Sequence, residues 1–333
     1  MAVRIHAIDN AKFLMVFLVI FGHLIEPLIG NSTTLKAIYL SIYSFHMPVF
    51  ALLAGMTSPV LASMSGWRKT VRAILVPFLL FSLLYEFFHF FTDGVMSSYA
   101  RNLQPYWIMW FLYSLFIWRL ILPIVLKVRF PITLLLCCAI GTGYIDSIGL
   151  LPGISRTIYF MPFFLLGYRL APVFFESAFV KVVPRLLSVC VLLLNLMFFW
   201  WLSDLSPQWL YGSSSYVSMG RDGYVAGIAR AGLYAISFVT SISVLTLMPR
   251  TQKAFTGLGS NSLPIYLWHG FIVKALVAAG VVAWMGAGGL YFQLLAFAAL
   301  ALLVAVGFGS RPVVGFTDRL LLKSVRNQPN ESH

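Results

Sequence analysis

The chain has 333 residues, 60% hydrophobic, 16% aromatic and 10% charged, with a mean hydropathy of +0.89. A soluble domain carries about 25% charged residues, so composition excludes that class and indicates a polytopic membrane protein. The net charge of +13 sits in separate basic clusters between apolar runs, the pattern of cytoplasmic connectors, which argues against nucleic-acid binding.

In chain order, about ten apolar stretches are long enough to cross a bilayer as helices: Ala11–Ile29, Ala37–Leu61, Val71–Phe91, Tyr106–Leu126, Pro131–Leu150, Arg156–Phe175, Val183–Leu202, Tyr224–Met248, Leu263–Trp284 and Leu290–Phe316. The predicted fold is therefore an all-α polytopic membrane bundle. Basic residues Arg4 and Lys12, Arg68, Lys69 and Arg72, Lys127 and Arg129, Lys181 and Arg185, Arg250 and Lys253, and Arg319, Lys323 and Arg326 occupy every second connector and so all fall on one face of the membrane. By the positive-inside rule both termini are cytoplasmic. Neither an internal repeat nor a long linker divides the chain, so residues 1–322 are predicted to form a single transmembrane domain and 323–333 a polar tail. The first apolar run lacks a small-residue cleavage signature and reads as a retained helix rather than a signal peptide.

That first stretch, Ile8–Ile29, carries Asp9, Lys12, His23 and Glu26 inside an apolar helix. Lys12 and His23 are eleven residues apart, which returns to nearly the same helix face about 16 Å further along the axis. Ionisable groups at membrane depth are costly and usually face a bundle interior or a water-filled cavity. The alternative is topology charges plus a satisfied core histidine, which leaves Glu26, three residues after His23, unexplained. His46 precedes Pro48, which is expected to break or kink the second span. Glu86 and His89 share a face of the third. Counted by rise per residue, His23, His46, Glu86 and His89 form an outer carboxylate and imidazole cluster. Arg119, Arg169 and His269 are placed nearer the cytoplasm. An Arg near a helix end can also simply snorkel to the interface, and a buried His can be a packing residue.

No H-x-x-x-H or H-E-x-x-H spacing supports a zinc site, and neither a G-x-S-x-G elbow nor a Gly-rich phosphate loop is present. Cys137, Cys138 and Cys190 lie within apolar runs without ligand spacing. The external connector at Ser203–Gly223 is rich in Ser, Gly, Tyr and Trp. Such residues suit stacking on sugar faces and equally populate membrane interfaces.

Six segments then resemble a known family in order along nearly the whole chain: IDNAKFLMVFLVIFGHLIEP with its Lys12-x10-His23 spacing, FHMPVFALLAGM at Phe45–Met56, WRKTVRAILVP at Trp67–Pro77, WFLYSLFIWRL at Trp110–Leu120, YFMPFFLLGYRL at Tyr159–Leu170 and GSNSLPIYLWHGFI at Gly259–Ile272. Together they resemble the acyltransferase 3 family of integral-membrane O-acyltransferases, closest in style to its fucose 4-O-acetylase-like branch. The resemblance implies transfer of an acyl group, commonly acetyl, from cytoplasmic acyl-coenzyme A to a hydroxyl of a surface carbohydrate or its lipid-linked precursor, at the inner membrane. It implies no permanently bound cofactor; acyl-coenzyme A is a substrate, and the partners are the carbohydrate or glycolipid acceptor and membrane lipid.

It also implies that His23 is the catalytic histidine and Lys12 its basic partner, where the family often has Arg. Arg68, Lys69 and Arg72 become candidates for the donor phosphates, with Arg119 beside them. In this scheme Glu26 or Glu86 orients or charges His23, Lys12 serves the donor side or pairs with Asp9, and His46, Glu86 and His89 face the acceptor. His23 can act as general base or as a nucleophile through an acyl-imidazole, and the sequence leaves both open. The competing class is a proton-coupled transporter or flippase for a glycan or small solute, against which the absence of repeated halves counts.

Overall fold

The computed structural model describes residues 6–60, 64–146, 153–175, 184–221 and 223–321. The predicted polar tail and the basic residues Arg4, Lys181, Lys323 and Arg326 lie outside the described residues. Among the described residues the architecture is all-helical. The helices are α1 (His6–Ile25), α2 (Thr33–Met56), α3 (Met64–Thr70), α4 (Val76–Asp93), α5 (Ser98–Arg101), α6 (Trp110–Val125), α7 (Pro131–Gly141) and α8 (Ile154–Phe175). They continue with α9 (Arg185–Trp201), α10 (Gln208–Tyr211), α11 (Tyr224–Leu247), α12 (Thr256–Ser260), α13 (Ser262–Ala278), α14 (Val281–Gly286), α15 (Leu290–Phe308) and α16 (Arg311–Leu320).

A helix falls on each of the ten predicted stretches. Six helical runs are long and apolar enough to cross a membrane: His6–Leu28, Thr33–Met56, Ser65–Asp93, Trp107–Val125, Tyr224–Leu247 and Leu290–Phe308. Three others, Pro131–Tyr144, Arg185–Trp201 and Ser262–Ala278, are apolar but shorter. The predicted ninth stretch is interrupted. Gly280 adopts a left-handed φ of 72° that ends α13 and starts α14, a conformation open to glycine at little cost.

α2 is the most buried span and forms the centre of the bundle. It crosses α8 at backbone contact, because Gly55 and Gly167 carry no side chains there. A Cβ at Gly55 would sit 1.9 Å from the Phe164 carbonyl oxygen, and one at Gly167 would sit 2.1 Å from that of Leu52. Small residues that let backbones approach are the usual means of packing helices in lipid, where no hydrophobic force separates partner from solvent. Pro48 does not break α2, which runs uninterrupted from Thr33 to Met56. The adjoining turn is stitched by side chains, with His46 Nδ1 donating to the Ile42 carbonyl at 2.9 Å and Ser44 Oγ to that of Ser41 at 2.7 Å.

α1 lies against α2 on one side and against α12, α13 and α15 on the others. Its start is anchored where Gly259 meets the Asp9 backbone, at 1.7 Å for an added Cβ. The Asn10 amide secures the same end by donating to the carbonyls of Pro249 and Thr251. The ionisable helix is thus enclosed by protein, which is what its charges require.

Candidate active site

α1 ends where Pro27, which has no N–H to give, follows Glu26 in a tight turn over Glu26–Leu28. That turn brings Glu26 back over the last helical residues. Its Oε2 lies 3.1 Å from His23 Nδ1. A carboxylate only accepts, so Nδ1 is the donor, and in the neutral ring the lone pair is on Nε2. The Tyr43 hydroxyl approaches the same Nδ1 at 3.3 Å.

The other carboxylate oxygen, Oε1, accepts from the Tyr211 hydroxyl at 3.5 Å, and Tyr39 donates in turn to Tyr211 at 2.7 Å. Tyr211 sits on the connector helix α10, where burial first and the Glu26 charge second push its hydroxyl up to about 12. It therefore stays protonated and keeps donating. Three aromatic groups box the imidazole: the ring of Trp107 at 4.7 Å, His269 stacked at 5.9 Å and Tyr43 edge-on at 6.5 Å.

All of these groups except His269 line a cavity of about 440 Å³. Lys12 and Arg119 stand at one end, and Glu26, Tyr39, Tyr99, Tyr211 and Arg156 at the other, with His23 and His46 on the wall between. Lys12 and His23 lie about 16 Å apart along α1 at the rise of an α-helix, so the cavity follows the helix for most of its length. Arg119 is held from α6 by donating Nε to Ser58 Oγ at 3.0 Å. The Arg156 guanidinium lies 5.3 Å over the ring of Trp110. A second cavity of about 420 Å³ also borders His23, Glu26, Tyr99 and Trp107, and is completed by the ends of α4 and α13.

The predicted residues divide accordingly. Lys12, His23, Glu26, His46 and Arg119 meet in the main cavity. His89 lies in the second, paired through Nδ1 with Asp93 Oδ2 at 2.6 Å. Glu86 borders neither. Both its oxygens are taken by Ser97, from the backbone N–H at 2.7 Å and the hydroxyl at 2.5 Å, so it secures the start of α5 and thereby Tyr99. Asp9 is buried against α12, accepting from Ser260 Oγ at 3.4 Å, and does not line the cavity. Arg68, Lys69 and Arg72 are exposed in and after α3, beside α6 but outside the cavity wall.

His269, placed by residue counting with the inner basic groups, is corrected to the level of His23. Its Nδ1 donates to the carbonyls of Ile265 and Tyr266, and the break after α13 explains why counting from a full-length span misplaced it. Sequence reasoning missed Arg156, Tyr39, Tyr43, Trp107 and Tyr211. The available signals were Arg156 at the start of an apolar stretch, which reads equally as a topology charge, and the aromatic connector Ser203–Gly223 that holds Tyr211.

Residues 5–310 match the sequence profile of the acyltransferase 3 group, described as an acyltransferase domain. The chain belongs to the acyltransferase 3 family. Among curated proteins it is similar to Nodulation protein NolL of Sinorhizobium fredii, 29% identical over 190 residues that cover 51% of this chain and 50% of that protein. It is also similar to Nodulation protein NolL of Mesorhizobium japonicum, 27% identical over 179 residues covering 49% and 47%. The matches thus span about half the length of these relatives. No solved structure matches the chain. Family membership and the long apolar helices together identify a multi-pass membrane protein.

Proposed function

We propose that this acyltransferase 3 member is a membrane O-acyltransferase that moves an acyl group, in the first instance acetyl, from cytoplasmic acyl-coenzyme A to a hydroxyl of a cell-surface carbohydrate or its lipid-linked precursor. The observation that carries the reading is the arrangement along one cavity of a cationic end at Lys12 and Arg119, a His23 imidazole with its Nδ1 on Glu26, and a far end rich in tyrosine. The cations suit the phosphates of a coenzyme A donor, which is a substrate and not a resident cofactor. The pantetheine arm would then extend along α1 toward His23.

At His23 the acceptor proton passes to Nε2, the acceptor oxygen bonds to the acyl carbon, and the carbon–sulfur bond breaks as Nε2 returns that proton to the sulfur, which releases the coenzyme A thiol and restores the neutral imidazole. The Glu26 carboxylate orients the ring and balances the positive charge that develops on it. Transfer through an acyl-imidazole on Nε2 uses the same groups in two steps.

In this scheme about ten spans cross the inner membrane with both termini in the cytoplasm, and Arg68, Lys69 and Arg72 add a cytoplasmic basic surface that attracts the donor. His46 and His89 serve the acceptor side. Purified protein incubated with acetyl-coenzyme A is expected to release the free thiol faster when a carbohydrate acceptor from the host envelope is added, and to leave an ester on it. Absence of an ester on the envelope polysaccharide of expressing cells, together with unchanged thiol release, would refute the activity. Labelling of the Trp67–Thr70 segment from outside intact cells would refute the orientation.

A further inference from the structure

We infer that the second cavity, between the ends of α4 and α13, is the seat of the sugar ring that receives the acyl group, and that it takes an uncharged ring. The inference rests on the acyltransferase reading. The two cavities share His23, Glu26, Tyr99 and Trp107, so a molecule in the second one reaches the same imidazole without competing for the channel that follows α1 from Lys12.

The wall of this chamber combines aromatic faces with polar groups. Trp107 borders it with a φ of 30°, in the region that favours glycine. Holding a bulky residue there costs about 1–3 kcal/mol, and the conformation sets the indole against His23. Lys274 reaches in from α13, with its ammonium 5.2 Å from the ring centre of Trp107 and 5.3 Å from that of Tyr106. Its counter-charge within the chamber is Asp93, which also receives the hydrogen bond from His89.

The chamber carries one lysine against two carboxylates: Asp93 faces Lys274, and Glu26 is already held by His23 and Tyr211, which leaves no free cation for an acidic ring. These groups do leave donors and acceptors around an aromatic platform, the combination that recognises a neutral polyol by hydrogen bonds and by contact of its C–H face with a ring. A volume of about 420 Å³ lies within the range of small-molecule sites. The exposed ends of α4 and α13, at Thr92 and Ala278, form its mouth.

Protection and kinetics test this separately. In protein whose three native cysteines are replaced by serine, Thr92→Cys and Ala278→Cys are labelled with a charged maleimide. Methyl glycosides of neutral hexoses and 6-deoxyhexoses at millimolar concentration are expected to slow labelling at least about threefold, with methyl glucuronide without effect. Lys274→Ala and Asp93→Asn are expected to raise the acceptor KM by about tenfold, the order lost with one hydrogen-bonding group to a charged partner. The donor KM should stay unchanged, because neither residue lines the channel that follows α1 from Lys12.

Protection by neutral glycosides in a protein that transfers no acyl group would uphold the sugar seat while refuting the acyltransferase reading. Active protein in which neutral glycosides give no protection and both variants keep the wild-type acceptor KM would overturn the inference alone. Protection by phosphatidylglycerol vesicles only would assign the chamber to lipid and overturn it as well.

Discussion

The Glu26→Gln substitution isolates what the carboxylate does for His23. The amide keeps the shape and can still accept from Nδ1 through its oxygen, so the 3.1 Å contact survives as a neutral hydrogen bond while the charge is lost. Two unit charges about 4 Å apart attract by about 4 kcal/mol at an effective dielectric constant of about 20. The Glu26 side chain is 38% exposed and that of His23 13%, so solvent screening reduces this to about half.

A loss of about 2 kcal/mol in the transition state, where the imidazole becomes positive, corresponds to a fall in kcat of about thirtyfold. His23→Ala removes the base itself and is expected to cost on the order of 10²–10⁴ in kcat. The assay is thiol release from acetyl-coenzyme A by purified protein at saturating acceptor, with the donor KM measured in parallel. That KM should barely move, because Glu26 lies at the end of the cavity opposite Lys12. If Glu26→Gln kept more than a third of wild-type kcat, the electrostatic role of the carboxylate would be refuted. If His23→Ala also kept more than about a tenth, catalysis would have to be sought at His46, whose Nδ1 is likewise committed to a carbonyl and whose Nε2 keeps a lone pair.

Other expected outcomes follow from the same geometry. Lys12→Ala with Arg119→Ala should raise the donor KM by about ten- to a hundredfold while kcat falls little, since charge-assisted hydrogen bonds are worth about 1.5–3 kcal/mol; an unchanged KM would place the donor elsewhere. Replacing Arg68, Lys69 and Arg72 together by Ala should raise that KM only a few-fold, and the difference from wild type should vanish at high salt, as expected of exposed charges. Glu86→Ala is expected to lower thermal stability in detergent, because it releases Ser97 and the start of α5, and to reduce kcat less than His23→Ala. Gly55→Ala should lower stability by about 1–3 kcal/mol in thermal denaturation, the usual cost of overpacking, because its Cβ would meet backbone at Phe164 that cannot turn aside.

The sequence by itself determined the class of the fold, the places of the helices and the acyltransferase 3 resemblance. Each depends on local composition: apolar stretches must form helices in a bilayer because no water is there to satisfy the backbone. It also pointed to the core of the candidate site, since His23 and Glu26 lie three residues apart just before Pro27 at the helix end and Lys12 stands eleven residues back on the same helix. Their mutual geometry is set by one helix and its terminal turn.

Tertiary structure alone decided the rest. Tyr211 reaches Glu26 from 185 residues away in sequence, and Trp107, His269 and Arg156 arrive on three other segments, so no spacing in the chain encodes their meeting. The depth of His269 depended on where Gly280 stops α13. Glu86 and His89, neighbours on one helix face, were parted by what packs against each: a connector serine for Glu86, and Asp93 at the mouth of a chamber for His89. Local rules of period and hydropathy place residues along a helix, whereas the partner each side chain finds is set by which helices cross. Here the crossing of α2 and α8 is set by backbone contact at two glycines.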